Sequence, residues 1–244
     1  MRIIFGRIWF VWYGLVFILL FLAFYPFFYL LLSHKKGYIM ADRFRKIWGK
    51  IVTYSTFMFP KIIYETPLSS KKQFIYCPNH ISYLDIVLTG SFLPSFNFFM
   101  AKMELSKLPL FKIWFRTLDV PVKRENLRSA HSAFFEAAKK LDNGANLIIF
   151  PEGKIPNDTP KIHYPLKPGA FKLAIEKGLP IVPITILDNL NRLDIEKYVC
   201  FPGKMRMIVH APIETKDLSI DDVKSLSDQV YSIIHSELIK HNII

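Results

Sequence analysis

The chain has 244 residues, of which 51% are hydrophobic and 15% aromatic, and its formal net charge at pH 7 is +12. This apolar content excludes an intrinsically disordered protein. The two cysteines, Cys77 and Cys200, lie far apart and indicate neither a disulfide framework nor a zinc site. A sequence that is both apolar and basic favours a membrane as its partner over nucleic acid, although charge alone does not separate the two.

The N-terminal segment predicts a membrane anchor. No charged residue occurs from Ile8 to Ser33, and as a helix this stretch is about 39 Å long, more than the ~30 Å hydrocarbon layer requires. It is too long for the apolar core of a signal peptide and lacks a small-x-small cleavage pattern. Gly14 and Pro26 leave open a kinked or re-entrant helix. More Lys and Arg follow the anchor than precede it, so the globular part is expected on the cytoplasmic side.

The next segment has the pattern of a basic amphipathic helix. One face of a helical wheel carries apolar residues: Phe44, Ile47, Trp48, Ile51, Tyr54 and Met58. The other carries Arg43, Lys46 and Lys50. Such a helix suits the headgroup layer of a membrane. The alternative is a surface helix that packs on the domain.

The remainder of the chain alternates short apolar runs with helical patterns. Candidate strands are residues 73–77, 96–101, 146–150, 181–187 and 205–210. Candidate helices are residues 83–91, 127–141, 169–176 and 220–239. This alternation predicts an α/β fold with a mostly parallel sheet flanked by helices.

A histidine and an aspartate, His80 and Asp85, follow the first of these strands. Pro78 ends the strand, and Ser82-x-x-Asp85 has the form of a capping box that starts the next helix. His80 is therefore expected on a loop and Asp85 in the first helical turn. An imidazole held by a carboxylate can take a proton from an alcohol. The alternative, equally open on this feature alone, is a capping acid beside an unrelated loop histidine.

A second polar turn is expected at the same edge of the sheet. The strand at residues 146–150 runs directly into Pro151-Glu152-Gly153-Lys154, and ligands of such sheets bind beyond the carboxyl ends of the strands. No GxSxG or GxxxxGK motif occurs in the sequence, which weakens acyl-serine and nucleotide-hydrolysing alternatives.

Together these motifs resemble the 1-acylglycerol-3-phosphate acyltransferase family of membrane-bound lysophospholipid acyltransferases. Residues 79–85, Asn-His-Ile-Ser-Tyr-Leu-Asp, resemble the NHxSxxD motif, and residues 150–153 resemble the first four residues of FPEGTR. Residues 101–105 with Pro109, and then residues 121–124, resemble the acceptor-binding block that ends in an arginine. Residues 166–170 and 181–184 resemble the later Lys-x-Gly and VPV segments. Order and spacing agree from about residue 74 to residue 186.

The resemblance implies a glycerol-phosphate acyltransferase-like α/β domain at residues 65–244, preceded by a membrane-embedded helical hairpin or anchor with its interfacial helix at residues 1–64. It implies transfer of an acyl chain from acyl-ACP or acyl-CoA to the free hydroxyl of 1-acyl-sn-glycerol 3-phosphate, giving phosphatidate. His80 is then the general base and Asp85 its partner. Neither a bound cofactor nor a metal is expected. The expected location is the bacterial inner membrane, with the catalytic domain facing the cytoplasm among membrane phospholipids.

The resemblance also assigns residues to the acceptor. The expected substrate-binding residues are Lys102, Arg124, Glu152, Gly153, Lys154 and Lys167. Where the family has Thr-Arg after Glu-Gly, this chain has Lys154-Ile155, and Lys123 replaces the Asp that usually precedes the second-block arginine. These departures leave open another lysolipid acceptor, such as a lyso-aminolipid, and a non-catalytic membrane scaffold is a further alternative. Nucleic acid is not expected as a partner, and the sequence does not indicate an oligomeric state.

Overall fold

A seven-stranded, mostly parallel sheet organises the chain. The computed structural model describes residues 1–107, 112–123, 126–156 and 161–244. The strands are β1 Met58–Tyr64, β2 Ile75–Pro78, β3 Asn97–Lys102, β4 Val120–Val122, β5 Asn146–Ile148, β6 Ile181–Ile186, β7 Leu193–Asp194, β8 Val199–Cys200 and β9 Gly203–Val209. The large sheet has the order β1-β9-β6-β2-β5-β3-β4, while β7 and β8 form a separate hairpin. Among the strands of the large sheet that the structure describes, β6 and β9 are the one antiparallel pair.

Helices cover both faces of this sheet. They are α1 Arg2–Leu32, α2 Tyr38–Ser55, α3 Leu84–Phe92, α4 Lys112–Phe115, α5 Leu127–Asp142, α6 Gly169–Lys177, α7 Asn189–Arg192 and α8 Val223–Lys240. Short 3-10 turns occur at Lys35–Gly37, Met103–Lys107 and Ile220–Asp222. The expected fold class is therefore confirmed.

The core has two layers because side chains alternate across each strand. On one face, Ile75, Leu147 and Ile181 pack against α5, α6 and α8. On the other face, the neighbouring residues Tyr76 and Ile148 pack against α3. Four helices thus lie on the faces of the central strands. Because these strands are parallel, their carboxyl ends lie together at one edge of the sheet.

The five expected strands and four expected helices all occur, with strand ends that differ by at most two residues. β1, β4, β7 and β8 were not predicted. β1 corrects the interpretation of Met58, which was placed on a helix face but begins this strand and is buried. It lies on the N-terminal side of the division expected after residue 64, yet it pairs with β9 along seven residues. Where the domain boundary lies stays a prediction.

The helices α1 and α2 form the expected N-terminal pair. α1 is long and apolar enough to cross a membrane, by length and composition alone, and Pro26 lies inside it without ending it. An aromatic cluster joins the pair to the domain: Phe21 packs edge-on against Trp48 of α2 and Trp114 of α4, with ring centroids 5.6 and 5.2 Å apart. The pair is therefore packed against the domain.

The packing of α2 differs from the helical wheel. Trp48 is buried, whereas Ile47 and Tyr54 from the same predicted face remain 48% and 52% exposed. Lys46, placed on the basic face, directs its ammonium to Asp42, 3.5 Å away, and to the carbonyl oxygens of Leu93 and Ser95. The helix thus packs on the domain along one side and leaves an apolar stripe uncovered. α2 therefore packs on the domain, as the surface-helix alternative expects, and it also keeps exposed apolar residues, as an interfacial helix would.

Candidate active site

The loop after β2 is fixed at its first residue by Asn79. Its side-chain oxygen accepts a hydrogen bond from Ile186 N at 2.7 Å, and its amide nitrogen donates to Ile186 O at 3.1 Å. Asn79 is fully buried, so both polar atoms of its side chain need partners. The result is a rigid link between the carboxyl ends of β2 and β6, immediately before His80.

His80 and Asp85 are in direct contact. Nδ1 of His80 lies 2.9 Å from Oδ2 of Asp85. The same oxygen accepts hydrogen bonds from the backbone N–H groups of Ile81 and Ser82, at 2.7 and 2.8 Å. The histidine is therefore not an unrelated loop residue, because one carboxylate oxygen both holds the imidazole and binds the backbone just before α3.

The imidazole of His80 is oriented by two contacts. Asp85 holds its edge, and the ring of Phe150 stacks on its face with centroids 4.1 Å apart and an interplanar angle of 19°. A carboxylate only accepts hydrogen bonds, so Nδ1 carries the proton and Nε2 of the neutral ring has a free lone pair. The side chain is 13% exposed, and no described residue hydrogen-bonds Nε2. That nitrogen can accept a proton from a bound alcohol.

Glu152 hydrogen-bonds the backbone at His80. Oε1 accepts a hydrogen bond from the backbone N–H of His80 at 2.7 Å, and Oε2 accepts one from the backbone N–H of His163 at 2.9 Å. Burial raises the pKa of Glu152 to about 7, against the lowering effect of those two N–H groups. Gly153 follows with φ of +80°, a backbone conformation that glycine adopts without strain.

Those contacts bear on the roles expected for Glu152. Within the described ranges neither a lysine nor an arginine forms an ion pair with it, and both of its oxygens are taken by backbone donors. The expected contact with the acceptor stays a prediction. The contribution of His163 was missed, because it comes through the backbone and carries no side-chain signal.

Asn189 was also missed by the sequence analysis. Its amide nitrogen donates a hydrogen bond of 2.8 Å to Oδ1 of Asp85, and its side chain is fully buried. It lies in α7, 104 residues after its partner. Local sequence does not distinguish it from Asn191, which is exposed on the same short helix.

The expected cationic residues that the structure describes lie on the surface. Lys102 ends β3, Lys154 follows Gly153, and Lys167 lies beside the same turn through its backbone N–H, 2.7 Å from Pro151 O. All three side chains are exposed, and none forms an ion pair within the described part of the chain. Arg124 lies outside the described residues, two positions after β4 ends.

Two nearby groups are unsuited to act as nucleophiles. Cys77 is fully buried in β2, and burial raises the pKa of its thiol well above the usual range. The hydroxyl of Ser82 is buried and donates to Leu193 O at 2.7 Å. At this edge the geometry therefore favours a base that activates an incoming alcohol over a covalent acyl-enzyme route through either side chain.

Three relatives resemble the chain by sequence. The chloroplastic 1-acyl-sn-glycerol-3-phosphate acyltransferase of Brassica napus is 28% identical over 77% of this chain and 57% of its own length. The 1-acyl-sn-glycerol-3-phosphate acyltransferase of Saccharomyces cerevisiae is 32% identical over 70% of this chain and 56% of its own. The one from Haemophilus influenzae is 24% identical over 73% of this chain and 74% of its own. The chain thus matches little more than half the length of the first two relatives.

The fold has a solved counterpart. The crystal structure of the 1-acyl-sn-glycerophosphate acyltransferase PlsC from Thermotoga maritima superposes with a TM-score of 0.81 at 23% identity, covering 100% of this chain and 99% of that one. The acyltransferase family model matches residues 60–187, just over half of the chain, and this region includes His80, Asp85 and Glu152. The resemblance inferred from the motifs is confirmed, and the chain belongs to the acyltransferase family of enzymes.

Proposed function

We propose that this protein transfers an acyl chain from a thioester donor to the free hydroxyl of 1-acyl-sn-glycerol 3-phosphate, giving phosphatidate. The observation that carries the proposal is the 2.9 Å contact between His80 Nδ1 and Asp85 Oδ2, which leaves Nε2 open at the edge of the sheet. The family match and the activity for which the three relatives are named support the choice of reaction.

The proposed mechanism needs one base. Nε2 of His80 takes the proton of the acceptor hydroxyl while the hydroxyl oxygen attacks the thioester carbonyl carbon. Asp85, which holds Nδ1, stabilises the imidazolium that forms. The tetrahedral intermediate then collapses, the carbon–sulfur bond breaks, and the leaving thiolate takes the proton from His80. The ester and a free thiol are the products, and the base is regenerated.

The lysines of the same edge are the proposed phosphate site. Lys102, Lys154 and Lys167 are exposed and free of ion pairs in the portion that the structure describes, so their ammonium groups are available to an anionic acceptor. Arg124 is the fourth expected cation. Lysine attracts phosphate as a point charge and not as a planar fork, so each of these contacts contributes charge more than fixed geometry.

The donor and the membrane complete the proposal. Acyl-ACP and acyl-CoA are both anionic donors, and the net charge of +12 favours either by electrostatic attraction. α1 would hold the catalytic domain at the cytoplasmic face of a bacterial inner membrane, where a lysophospholipid presents its headgroup. Nucleic acid, a metal ion and a bound cofactor have no part in the proposed reaction.

A second candidate keeps the chemistry and changes the acceptor. Ile155 stands where the family motif has an arginine, so a cation that would grip the phosphate is missing from its usual position. A lysolipid without a phosphate, such as a lyso-aminolipid, would not need it. The exposed Lys102, Lys154 and Lys167 favour the phosphate acceptor.

The test is a matrix of donors and acceptors with the purified full chain in detergent micelles. Each of acyl-ACP and acyl-CoA is combined with 1-acylglycerol 3-phosphate, a lysophosphatidylethanolamine and a lyso-aminolipid. We expect phosphatidate as the main product. Product only from the lyso-aminolipid would replace the first candidate with the second. The His131→Ala variant is the matched control, because His131 is an exposed histidine on α5 and its loss should leave the rate unchanged.

A further inference from the structure

The stretch from Ile186, the last residue of β6, to Leu193 holds residues 79–85 at three points. Asn79 binds both backbone groups of Ile186, and the hydroxyl of Ser82 donates to the carbonyl oxygen of Leu193. At the third point the amide of Asn189 donates to Oδ1 of Asp85 at 2.8 Å. The first two contacts are made to backbone atoms of Ile186 and Leu193, so they do not depend on which side chains those positions carry. The third depends on the identity of residue 189.

We propose that Asn189 is a positioning residue of the acyl-transfer reaction, which fixes the carboxylate of Asp85 so that Oδ2 faces the imidazole of His80. The inference rests on the proposed function for its consequence on rate. Asn189 is fully buried and contacts Asp85, so it acts through Asp85 and His80 and not on the substrate.

The two oxygens of Asp85 have different surroundings. Oδ2 faces three donors, namely Nδ1 of His80 and the backbone N–H groups of Ile81 and Ser82. Oδ1 accepts from Asn189, and no other described residue donates to it. The terminal torsion of an aspartate is broad and is not held by staggering. The amide of Asn189 therefore sets the plane of the carboxylate, and with it the direction of the lone pair that meets His80.

Only one orientation of the Asn189 amide allows this hydrogen bond. Only the nitrogen can donate to a carboxylate, so Nδ2 faces Asp85. The other end, Oδ1 of Asn189, is buried and has no hydrogen-bond partner in the part of the chain that the structure describes. An apolar side chain of similar shape would leave no such unpaired acceptor. The same apolar side chain would, however, leave Oδ1 of Asp85 without its donor. The amide is therefore accounted for by its bond to the partner of His80, and the variants below separate its effect on rate from its effect on stability.

The test compares three variants of the full chain in the acyl-transfer assay. Asn189→Ala removes the donor, and kcat is expected to fall by about ten- to a hundredfold with KM for both substrates unchanged, because the lost hydrogen bond is to a charged group. Asn191→Ala, on the exposed neighbour in the same helix, is expected to match wild type.

Asn189→Asp separates positioning from mere support of the fold. Above neutral pH the new carboxylate repels Asp85, so the loss should exceed that of Asn189→Ala. At low pH the new carboxyl is protonated and donates the hydrogen bond that the amide donated. The rate of Asn189→Asp relative to wild type should therefore rise about tenfold between about pH 8 and about pH 5.5, while the ratio for Asn189→Ala stays flat. Equal, pH-independent losses that follow the fall in unfolding temperature would overturn the proposal.

A readout without turnover keeps this inference separate from the proposed function. In protein labelled with ¹⁵N at histidine, and with His80→Ala to assign the signal, the His80 ring is expected to be protonated at Nδ1 in wild type and to become a mixture of tautomers in Asn189→Ala. An unchanged His80 signal in a folded Asn189→Ala variant, with kcat within about twofold of wild type, would refute the role of Asn189. An inactive wild type with the expected tautomer change would refute only the proposed reaction.

Discussion

Two groups of largely buried polar and charged side chains lie at opposite ends of the parallel strands. The His80 site, formed by His80, Asp85, Glu152 and Asn189, follows the carboxyl ends of β2, β5 and β6. The Arg45 cluster, formed by Arg45, Asp42 and Asp119, lies where β3 and β4 begin. There the guanidinium of Arg45 contacts Asp119 through Nη1, 3.0 Å from each oxygen, and Asp42 through Nη2 at 2.8 Å.

The two groups differ in how their charge is compensated. Arg45 joins α2 to the sheet, because Nη2 also donates to Asn97 O at 2.7 Å and Asp119 accepts from Phe99 N at 2.9 Å. Each charge in that cluster faces an opposite one. At the His80 site, within the described ranges, two carboxyl groups are buried beside backbone donors, an amide and an imidazole, and without a lysine or arginine. The Arg45 cluster joins elements of the fold through opposite charges, whereas buried carboxyl groups beside an imidazole, with no lysine or arginine to neutralise them, are suited to proton transfer.

The largest effect is expected from Asp85→Asn. Loss of the negative charge removes the stabilisation of the imidazolium, so the rate of acyl transfer should fall by about 10²- to 10⁴-fold. The measurement is kcat at saturating substrates. Asp142→Asn is the control, since Asp142 is an exposed acid paired with Lys177 on the surface, and it should retain the wild-type rate. A fully active Asp85→Asn variant would show that the His80 site is not distinguished from the Arg45 cluster by a role in catalysis.

Arg45→Met is the reciprocal change at the other end. It leaves Asp119 buried without its cation and Asp42 with Lys46 alone, 3.5 Å away, and the expected loss of folding free energy is about 3–5 kcal/mol. Thermal and denaturant unfolding in detergent measures this loss. Arg43→Met is the matched control, because Arg43 is exposed on the same helix. The rate per folded molecule should be unchanged, and a variant that stays stable but loses catalysis would contradict the structural role.

Glu152→Gln tests whether the pKa of the buried Glu152 carboxyl is raised, through the pH dependence of stability. Burial raises the pKa of Glu152 from its ordinary value of 4.5 to about 7, so the folded chain holds this proton more tightly than the unfolded chain. Stability from this group is therefore lost as the pH rises from about 4.5 to about 7, by about 3 kcal/mol in all. The difference in unfolding free energy between wild type and Glu152→Gln should fall across that range, and a difference independent of pH would disprove the shift.

The smallest effect is expected from single lysines at the His80 edge. Lys154→Ala should raise KM for 1-acylglycerol 3-phosphate by about two- to fivefold with little change in kcat, because one exposed charge contributes about 1 kcal/mol or less. The effect should weaken as salt is added. Lys139→Ala, at an exposed position on α5, is the control. An equal rise in KM for both variants would show that general positive charge, and not this edge, attracts the acceptor.

Much of the fold and part of the site followed from local sequence. The strand before His80, the turn after β5 and the spacing from His80 to Asp85 are each encoded within about ten residues, where apolar periodicity and turn residues are informative. The sequence predicted His80 on a loop and Asp85 in the first turn of the following helix, and the structure shows that this arrangement brings the two side chains into contact.

The rest depends on contacts between distant residues. Asn189 meets Asp85 across 104 residues, and Arg45 meets Asp119 across 74. β1 was not predicted because its identity depends on pairing with β9 near the other end of the chain. The buried side of α2 was not predictable for the same reason: a helical wheel shows which residues share a side, and the tertiary partners Trp114 and Asp119 decide which side is buried.

The most direct test of the account is the rate of phosphatidate formation by His80→Ala. Equal amounts of folded wild type and variant, matched by thermal unfolding, are assayed with a labelled acyl thioester and 1-acylglycerol 3-phosphate in the same micelles. Removal of the base is expected to lower the rate by about 10²- to 10⁴-fold while the unfolding temperature stays the same. A folded His80→Ala variant that makes phosphatidate at close to the wild-type rate would contradict the assignment of His80 as the base.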